Sequence, residues 1–419
     1  MRPDTILFHF GDEWGEIDTV LPLIRSIKKS KKLKIIVFIK KDSTFKKREK
    51  FQNLYKILKK NSDLIIYPSF FSKKRIINEN LKTSLFYDPR KLILLILKII
   101  KKKDLDLGLK WIMDEILKKF NIKYFCNTAG TIVDTYWLNL KDTKYLVVPH
   151  APTFKGGKLH KYRICNLKEH DKSRKKKFNY YRKYPNGSLF FTNDHDEKIF
   201  FQKYLPSNFK IIPIGFTRLE KKWIRVIKSE KKNSKKKKQI LILLGKANYL
   251  GKSELKNKFY DILLMAEKFN YSVKYKFHPK SIFDVKEIIN KFSKLNIKES
   301  LVSVMSEALD SEVTISTSKT GSCLDSIAVG VPVIEYYSYS NGIEDNMQNE
   351  FKINGKIMSL FKYHGLVESL SNKQDLEKFL KKIEYTKNFK KKIVLQQKKA
   401  LNKIAFNRNK VSEKFLKSF

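Results

Sequence analysis

The chain has 419 residues, too many for one ordinary hydrophobic core, so two domains are expected. Hydrophobic residues make up 42% of the sequence and aromatic residues 13%, which excludes a globally disordered chain. The net charge of +47 is compatible with nucleic acid, but the lysines are spread along the whole chain and far outnumber the arginines that base-reading sites favour. The charge pattern therefore favours an anionic membrane surface or a phosphorylated substrate over nucleic acid.

The cysteines and the hydrophobic segments predict where the protein is located. Cys126, Cys165 and Cys323 lack the spacing of a metal site or a disulfide framework, which suits a reducing cytosol and no structural metal. Residues 1–10 lack the basic and apolar regions of a secretory signal. Residues 92–100 are the most apolar stretch, but they are too short to span a bilayer. They predict a buried helix or, alternatively, a basic amphipathic helix on the inner face of the cell membrane, in a protein that is otherwise cytoplasmic.

The first half of the chain alternates between predicted strands and helices. Apolar residues recur at helical spacing in the helices and run continuously in the strands, as in a parallel sheet covered on both faces. The predicted strands are residues 5–10, 33–39, 64–67, 122–126 and 144–148, and the predicted helices are residues 17–30, 45–60 and 106–120.

A second alternating series follows a lysine-rich stretch. Its predicted strands are residues 239–244, 272–277, 313–317 and 332–336, and its predicted helices are residues 253–269, 282–292 and 323–329. The two series predict two Rossmann-like, doubly wound α/β domains that face each other across a cleft. The predicted divisions are an N-terminal domain over 1–227, a lysine-rich linker over 228–238, a C-terminal domain over 239–387, and a basic helix over 388–419 that can cross back to the first domain.

Open parallel sheets bind ligands in the loops that follow their strands, so these loops carry the candidate sites. The loop after strand 239–244 resembles the P-loop motif. Five residues separate Gly245 from the Gly251-Lys252 pair, however, where the motif requires four. This spacing argues against a nucleoside triphosphatase. Backbone N–H groups at the start of the following helix can still line a phosphate site, with Gly245 and Lys246 as candidate donor-binding residues.

Two further loops offer groups that bind phosphate. His278 ends the next strand, where an imidazole can donate a hydrogen bond to a phosphate oxygen or pair with it when protonated. Residues 317–322, called the hydroxyl loop below, join a third strand to a helix and combine hydroxyl groups with the N–H groups of the helix start. Ordinary helix capping is the alternative function of this loop. Its candidate phosphate-binding residues are Thr317, Ser318, Thr320, Gly321 and Ser322.

The order of these motifs resembles a known family. A strand ending in His278-Pro279, then the hydroxyl loop, then a small-residue helix ending in Gly330-Val-Pro-Val-Ile, is similar to the donor domain of GT-B transferases. The similarity is greatest to the bacterial capsule and teichoic-acid group, which contains CMP-sugar transferases with a His-Pro motif and CDP-glycerol glycerophosphotransferases. Residues 212–218 and 148–157 also resemble segments of that group. The resemblance implies two Rossmann-like domains and a nucleotide-activated donor.

The N-terminal domain contains the candidate catalytic bases. Asp12, Glu13 and Glu16 follow the first strand, and Asp12 and Glu16 are the better candidates for a general base. An alternative function for these acids is to complement the dipole of the helix that begins there. His150 follows strand 144–148 and is bracketed by prolines, so it should lie at the carboxyl edge of the first sheet and act on the acceptor.

The preferred prediction is a metal-independent glycosyltransferase that uses a CMP- or UDP-type sugar donor to build a cell-surface polysaccharide such as capsule, lipopolysaccharide or teichoic acid. The N-terminal domain would bind a polysaccharide or lipid-linked acceptor, and the C-terminal domain would bind the donor phosphate. No cofactor besides the donor substrate is expected. The alternatives are a CDP-polyol phosphotransferase, an enzyme resembling UDP-GlcNAc 2-epimerase, and a basic membrane- or nucleic-acid-binding protein without catalysis.

Overall fold

Contacts divide the chain into two compact units. Unit 1 comprises Met1–His150, Phe178–Phe191 and Leu205–Ile212, and unit 2 comprises Ala151–Lys177, Thr192–Tyr204 and Pro213–Phe419. The computed structural model describes residues 3–11, 13–30, 33–40, 49, 51–66, 114, 116–133, 135–150, 159–231, 237–245, 252–278, 284–339, 350–405 and 407–418. The predicted segment 92–100, and with it the membrane-surface alternative, lies outside these residues.

Unit 1 is built on a seven-stranded sheet with the strand order β3-β2-β1-β4-β5-β6-β7. The neighbouring pairs from β3 to β6 are parallel. Its strands are β1 (Asp4–Phe10), β2 (Lys34–Ile39), β3 (Leu64–Ile66), β4 (Asn121–Thr128), β5 (Lys144–Val148), β6 (Ser188–Thr192) and β7 (Phe209–Pro213). The order reverses between β1 and β4, which is where doubly wound sheets bind ligands.

Unit 2 contains a six-stranded sheet with the order β10-β9-β8-β11-β12-β15. All five neighbouring pairs are parallel. The strands are β8 (Gln239–Leu244), β9 (Ser272–Phe277), β10 (Ile297–Glu299), β11 (Val313–Ser316), β12 (Val333–Tyr336) and β15 (Glu368–Leu370), and a separate hairpin joins β13 (Glu350–Ile353) to β14 (Lys356–Ser359). The order reverses between β8 and β11.

Helices connect the strands of both sheets. They include α1 (Trp14–Ser30), α2 (Gln52–Asn61), α3 (Thr135–Leu138), α4 (Leu167–Phe178), α5 (His195–Gln202), α6 (Lys221–Glu230), α7 (Lys252–Lys268), α8 (Lys286–Asn290), α9 (Val304–Ala308), α10 (Ser322–Val329), α11 (Leu360–Tyr363), α12 (Lys373–Tyr385), α13 (Phe389–Ile404) and α14 (Val411–Leu416). No helix within the described ranges is both long and apolar enough to cross a bilayer.

The buried faces of the strands explain why these sequences form parallel sheets. Every residue of β8 is buried, and so is every residue of β11 and β12, because helices cover both faces of the sheet. Leu255, Phe259 and Ile262 of α7 pack at helical spacing into the same core as the apolar residues of β8. The sequence prediction of two parallel-sheet α/β domains is therefore confirmed, while the divisions predicted at 227, 238 and 387 stay predictions.

The C-terminal segment differs from its prediction. Residues 388–419 were expected to form one basic helix, but α13 ends at Ile404 and α14 begins at Val411. Asn407 lies between them with φ of 51°, in the left-handed region that does not continue a right-handed helix. Gln397 of α13 accepts a hydrogen bond from the backbone N–H of Val333 at 2.9 Å and donates one to its carbonyl at 2.6 Å. The first part of the segment is therefore fixed to the start of β12 in unit 2.

The predicted linker also differs in part. Lys228 and the two residues after it form the last turn of α6 rather than a linker, because Trp223, Ile224 and Ile227 give α6 an apolar face that is buried. Lys237, at the other end of the stretch, donates a backbone hydrogen bond to Asp310 at 3.1 Å. Residues 232–236 lie outside the described part of the chain.

Candidate functional site

The carboxyl ends of β1, β4 and β5 meet at one edge of the unit 1 sheet. Strand β4 lies beside β1 on one side and β5 on the other. The loop after β4 remains close to β5, since the Ala129 N–H donates to the carbonyl of Val148 at 2.7 Å. His150 follows β5 by two residues, so it lies at this edge as its position in the sequence predicted.

His150 is paired with an acid that was not among the favoured candidates. Its Nε2 lies 3.5 Å from a carboxylate oxygen of Glu13, and its side chain is 37% exposed whereas that of Glu13 is 10% exposed. The His150 carbonyl accepts a hydrogen bond from the Thr19 hydroxyl of α1 at 3.0 Å, which fixes the backbone that carries the imidazole. The arrangement presents an accessible imidazole beside a mostly buried carboxylate.

The two carboxylates preferred from the sequence are placed differently. The buried Glu16 carboxylate accepts a hydrogen bond from the Gly11 N–H at 2.8 Å, an interaction that closes the loop between β1 and α1. Asp12 lies outside the described residues. His9 lies in β1, where its buried ring packs against Phe38 and Phe125. Whether Glu16 or Asp12 acts as a base stays a prediction.

Two tyrosines that no sequence motif indicated hold the loop after β4. The Tyr181 hydroxyl accepts a hydrogen bond from the Gly130 N–H at 2.7 Å. The Tyr180 hydroxyl accepts from the Val133 N–H and donates to the carbonyl of the same residue, both at 2.6 Å. Burial raises the pKa of Tyr181 well above its usual value, and Tyr180 adds to the shift while the Gly130 N–H opposes it, so Tyr181 remains a neutral donor and acceptor. This loop is therefore fixed beside the first reversal point.

Three strands of unit 2 likewise end together, in the order β9, β8, β11. The His278 N–H donates to the carbonyl of Leu244 at 3.0 Å, which joins the ends of β9 and β8. On the other side, the Gly245 N–H donates to the Thr317 hydroxyl at 3.0 Å, which joins the ends of β8 and β11. A methyl group on Gly245 would overlap the Ser318 side chain, so the middle strand must end in glycine. Lys246, the next residue, lies outside the described part of the chain.

The hydroxyl loop divides into a buried half and an accessible half. Thr317 and Ser318 are fully or almost fully buried, and the Thr317 hydroxyl is occupied by Gly245 and by the carbonyl of Leu243. Lys319, Thr320, Gly321 and Ser322 are half-buried and lead into α10. The structure therefore brings all the predicted loop residues to the same edge as His278, but only the second half of the loop is exposed to a ligand.

A buried ion pair supports the helix that follows the loop. The Arg218 guanidinium binds the Asp325 carboxylate through two nitrogens, with Nε 3.2 Å from Oδ1. Asp325 lies in the first turn of α10, where a carboxylate is also stabilised by the helix dipole. Sequence reasoning selected the segment 212–218 only by resemblance, and the pairing of its arginine with Asp325 gave no local signal in the sequence.

A second buried acid lies at the end of β12, beside β11. Glu335 is fully buried and pairs in register with Ser316 of β11. One carboxylate oxygen accepts hydrogen bonds from the Ser359 hydroxyl at 2.7 Å and the Tyr339 hydroxyl at 3.1 Å. Burial raises the pKa of Glu335, while these hydroxyls and the nearby Lys319 ammonium oppose the shift. Among the described residues, no group of three or more His, Cys, Asp or Glu side chains could hold a metal ion.

Comparisons with known proteins identify the fold. No protein-family profile matches the sequence, and no curated protein sequence matches it. The structure is similar to Staphylococcus aureus MnaA with UDP, with 14% identity, 99% of this chain and 95% of the other covered, and a TM-score of 0.54. The structure is likewise similar to the Neisseria meningitidis UDP-GlcNAc 2-epimerase bound to UDP-GlcNAc, with 15% identity, 99% of each chain covered, and a TM-score of 0.55. It is also similar to Phytolacca americana UGT2 complexed with UDP-2fluoro-glucose and pterostilbene, with 8% identity, 99% of this chain and 98% of the other covered, and a TM-score of 0.56. The chain therefore has the GT-B fold, with two parallel-sheet α/β domains.

Proposed function

We propose that this protein is a transferase that moves a glycosyl group from a nucleotide-activated sugar to an acceptor hydroxyl. The observation that carries the proposal is that β9, β8 and β11 end at one edge of the sheet. This edge brings together His278, Gly245 and the accessible half of the hydroxyl loop. Hydroxyls, an imidazole and the N-terminus of α10 are groups that bind phosphate. The structural similarity to proteins solved with UDP, UDP-GlcNAc and UDP-2fluoro-glucose supports a nucleotide-sugar ligand.

Unit 2 would bind the donor phosphate and stabilise the leaving nucleotide. Thr320 and Ser322 supply hydroxyls at the entrance to α10, where the positive end of the helix dipole also favours a negative charge. The first N–H groups of the helix donate to Thr320 and Gly321. His278 supplies a third donor from the end of β9. These groups can neutralise part of the phosphate charge without a metal ion, so the proposed reaction needs no cofactor besides the donor substrate.

Unit 1 would supply the general base. Because Nε2 of His150 faces the Glu13 carboxylate, the proton of the neutral imidazole is favoured on Nε2, and Nδ1 is the atom that accepts a proton. The acceptor O–H bond breaks and its proton passes to Nδ1 while the oxygen bonds to the anomeric carbon. The bond from that carbon to the donor's phosphate oxygen breaks, and its electron pair leaves with the nucleotide. Glu13 stabilises the imidazolium that results.

The acceptor, the location and the donor predicted from the sequence belong to the same proposal. The acceptor class, a cell-surface polysaccharide or its lipid-linked precursor, rests on the resemblance to capsule and teichoic-acid enzymes. A location on the inner face of the membrane rests on the net charge of +47. The proposed donor is a CMP- or UDP-type sugar nucleotide, and transfer of a polyol phosphate from a CDP-polyol is an alternative that the same phosphate-binding groups could serve.

The deciding experiment separates ligand class from reaction class. A thermal-shift screen with CMP, CDP, UDP and GDP should show that at least one nucleotide raises the melting temperature, since a ligand that binds only the folded state stabilises it. The corresponding nucleotide sugars are then incubated with the protein with and without a polysaccharide acceptor. Nucleotide release that depends on acceptor supports the transferase. Conversion of the donor sugar without acceptor would identify an epimerase, and no stabilisation by any nucleotide would overturn the proposal.

A further inference from the structure

Lys319 is the only cationic residue in the hydroxyl loop, whose other members are hydroxyl residues and one glycine. It lies in the accessible half of the loop and is half-buried. Its ammonium lies over the ring of Phe361, 5.7 Å from the ring centre. An ammonium within about 6 Å of an aromatic ring is attracted by the negative face of the ring. The Lys319 side chain is therefore held on one side by an aromatic surface.

The Glu335 carboxylate attracts the same ammonium. Lys319 lowers the pKa of Glu335 against the larger effect of burial, which raises it. One Glu335 oxygen is occupied by the Ser359 and Tyr339 hydroxyls, whereas Oε1 has no hydrogen-bond partner among the described residues. A buried carboxylate needs compensation, and a nearby cation provides it. The attraction between Glu335 and Lys319 therefore does not depend on any ligand.

We propose that Lys319 binds the donor's phosphate and that Glu335 is a positioning residue, which with Phe361 holds the Lys319 ammonium at the hydroxyl loop. This inference rests on the proposed function, because it names a further group of the same phosphate site. Glu335 is fully buried beneath the loop, so it acts on the ligand through Lys319 rather than by contact. Lys319 is only half-buried, so part of its side chain is accessible to a phosphate that approaches the hydroxyl loop from solvent.

The first experiment tests Lys319 with UDP and uridine, which differ only in the diphosphate. In calorimetric titrations, Lys319→Gln should weaken UDP binding about tenfold or more, because a charge-assisted hydrogen bond is lost, and should leave uridine binding unchanged. Lys319→Arg should recover most of the UDP affinity. Lys356→Gln, at an exposed lysine that begins β14, is the control with the same charge change. Equal UDP affinity in Lys319→Gln and in the unaltered protein would overturn the inference.

The second experiment tests Glu335 with a change that keeps its shape. If Glu335 positions Lys319, Glu335→Gln should weaken UDP binding, whereas removal of a negative charge that merely repels phosphate would tighten it. In the Lys319→Gln background, Glu335→Gln should cause no further weakening, since its effect passes through Lys319. Tighter binding, or equal weakening in both backgrounds, would rule out the positioning role. Far-ultraviolet circular dichroism of each variant, compared with that of the unaltered protein, establishes that the chain has folded.

Failure of this inference is distinguishable from failure of the proposed function. If the unaltered protein binds UDP and Lys319→Gln binds it equally well, only the role of Lys319 is wrong. If the unaltered protein binds none of CMP, CDP, UDP and GDP, the nucleotide-sugar proposal falls and the role of Lys319 falls with it.

Discussion

Arg218 and Asp325 form an ion pair that is buried within unit 2, with both side chains less than a tenth exposed. The pair joins the segment after β7 to the first turn of α10, the helix that the hydroxyl loop enters. Because the ion pair is bidentate, it fixes the orientation of α10 as well as its distance from Arg218. The position of the candidate phosphate site thus depends on residues more than one hundred positions apart.

Removal of one member of this pair should destabilise the protein strongly. Asp325→Ala leaves the Arg218 charge buried without its partner, which costs about 3–5 kcal/mol in comparable pairs. Urea denaturation followed by tryptophan fluorescence measures the loss. The double variant Arg218→Met with Asp325→Leu should lose less than Asp325→Ala alone, since no charge remains buried. The exposed pair Glu413–Lys417 is the control, and Lys417→Gln should change little.

Gly245 should tolerate no side chain while Ser318 is present. Gly245→Ala places a methyl group into the Ser318 side chain, so the ends of β8 and β11 must move apart and both the melting temperature and UDP affinity should fall. Ser318→Gly in the same chain removes the overlapping atoms and should restore part of both losses. Gly15→Ala is the control, because nothing lies within 4 Å of the added methyl group in α1. A Gly245→Ala protein with unaltered melting temperature would contradict this close approach.

Turnover should separate His150 and Glu13 from Glu16. His150→Ala should lose about 100-fold or more in kcat with donor affinity kept, because loss of a general base affects the chemical step. Glu13→Gln should reduce kcat less, since the imidazole remains but its imidazolium loses a carboxylate. Glu16→Gln should mainly lower the melting temperature, because Glu16 accepts from the Gly11 N–H. Normal turnover in His150→Ala would transfer the role of base to an acid of the first loop.

The fold could be predicted from the sequence because its strands carry a strong local signal. Runs such as residues 239–244 are apolar throughout, and only a sheet covered on both faces gives them burial. Six strands were not predicted, because short strands depend on neighbours supplied by distant segments; they are β6, β7, β10, β13, β14 and β15. The single long C-terminal helix was wrong because the backbone is extended at Ala405 and left-handed at Asn407, within a sequence pattern that is otherwise helical.

The candidate site was predictable only as far as the ends of strands. His150, His278 and the hydroxyl loop were placed at sheet edges because parallel strands end together. The direction of each side chain within a loop was not predictable, so Thr317 and Ser318 were grouped with residues that are accessible. Interactions between distant elements, such as the ion pair of Arg218 with Asp325, cannot be recognised from the local spacing of residues.

The exposed face of α13 should bind anionic membranes. It carries Leu395, which is 58% exposed, between the exposed lysines Lys391, Lys392 and Lys399. Each lysine near an anionic surface contributes about 1 kcal/mol, so changing these three lysines to glutamine should greatly reduce co-sedimentation with phosphatidylserine vesicles. Three exposed lysines elsewhere serve as the control with the same charge change; they are Lys352, Lys356 and Lys378. Equal loss in both triple variants, or equal binding to neutral vesicles, would refute a specific role for this face.

The pH dependence of stability should contain a contribution from Asp194. This residue caps α5 by accepting a hydrogen bond from the Glu197 N–H at 2.6 Å, and burial raises its pKa to about 6. The neighbouring Asp196 raises the pKa further, whereas the Glu197 N–H and His195 oppose the shift. A pKa above the unfolded value means that the folded state binds the proton more tightly. The stability linked to this proton is therefore present below about pH 4 and is lost as the pH rises through about 6.

Asp194→Asn isolates that contribution, because asparagine is as good a helix cap as aspartate and never ionises. The variant should be more stable than the unaltered protein by about 2 kcal/mol at pH 8, and the difference should shrink towards zero near pH 4. Urea denaturation at pH 4.5, 6 and 8 measures the difference in the free energy of unfolding. Asp194→Ala is the control, since loss of the cap costs about 1 kcal/mol at low pH as well. A difference between Asp194→Asn and the unaltered protein that stays constant across this range would show that the Asp194 charge is not its cause.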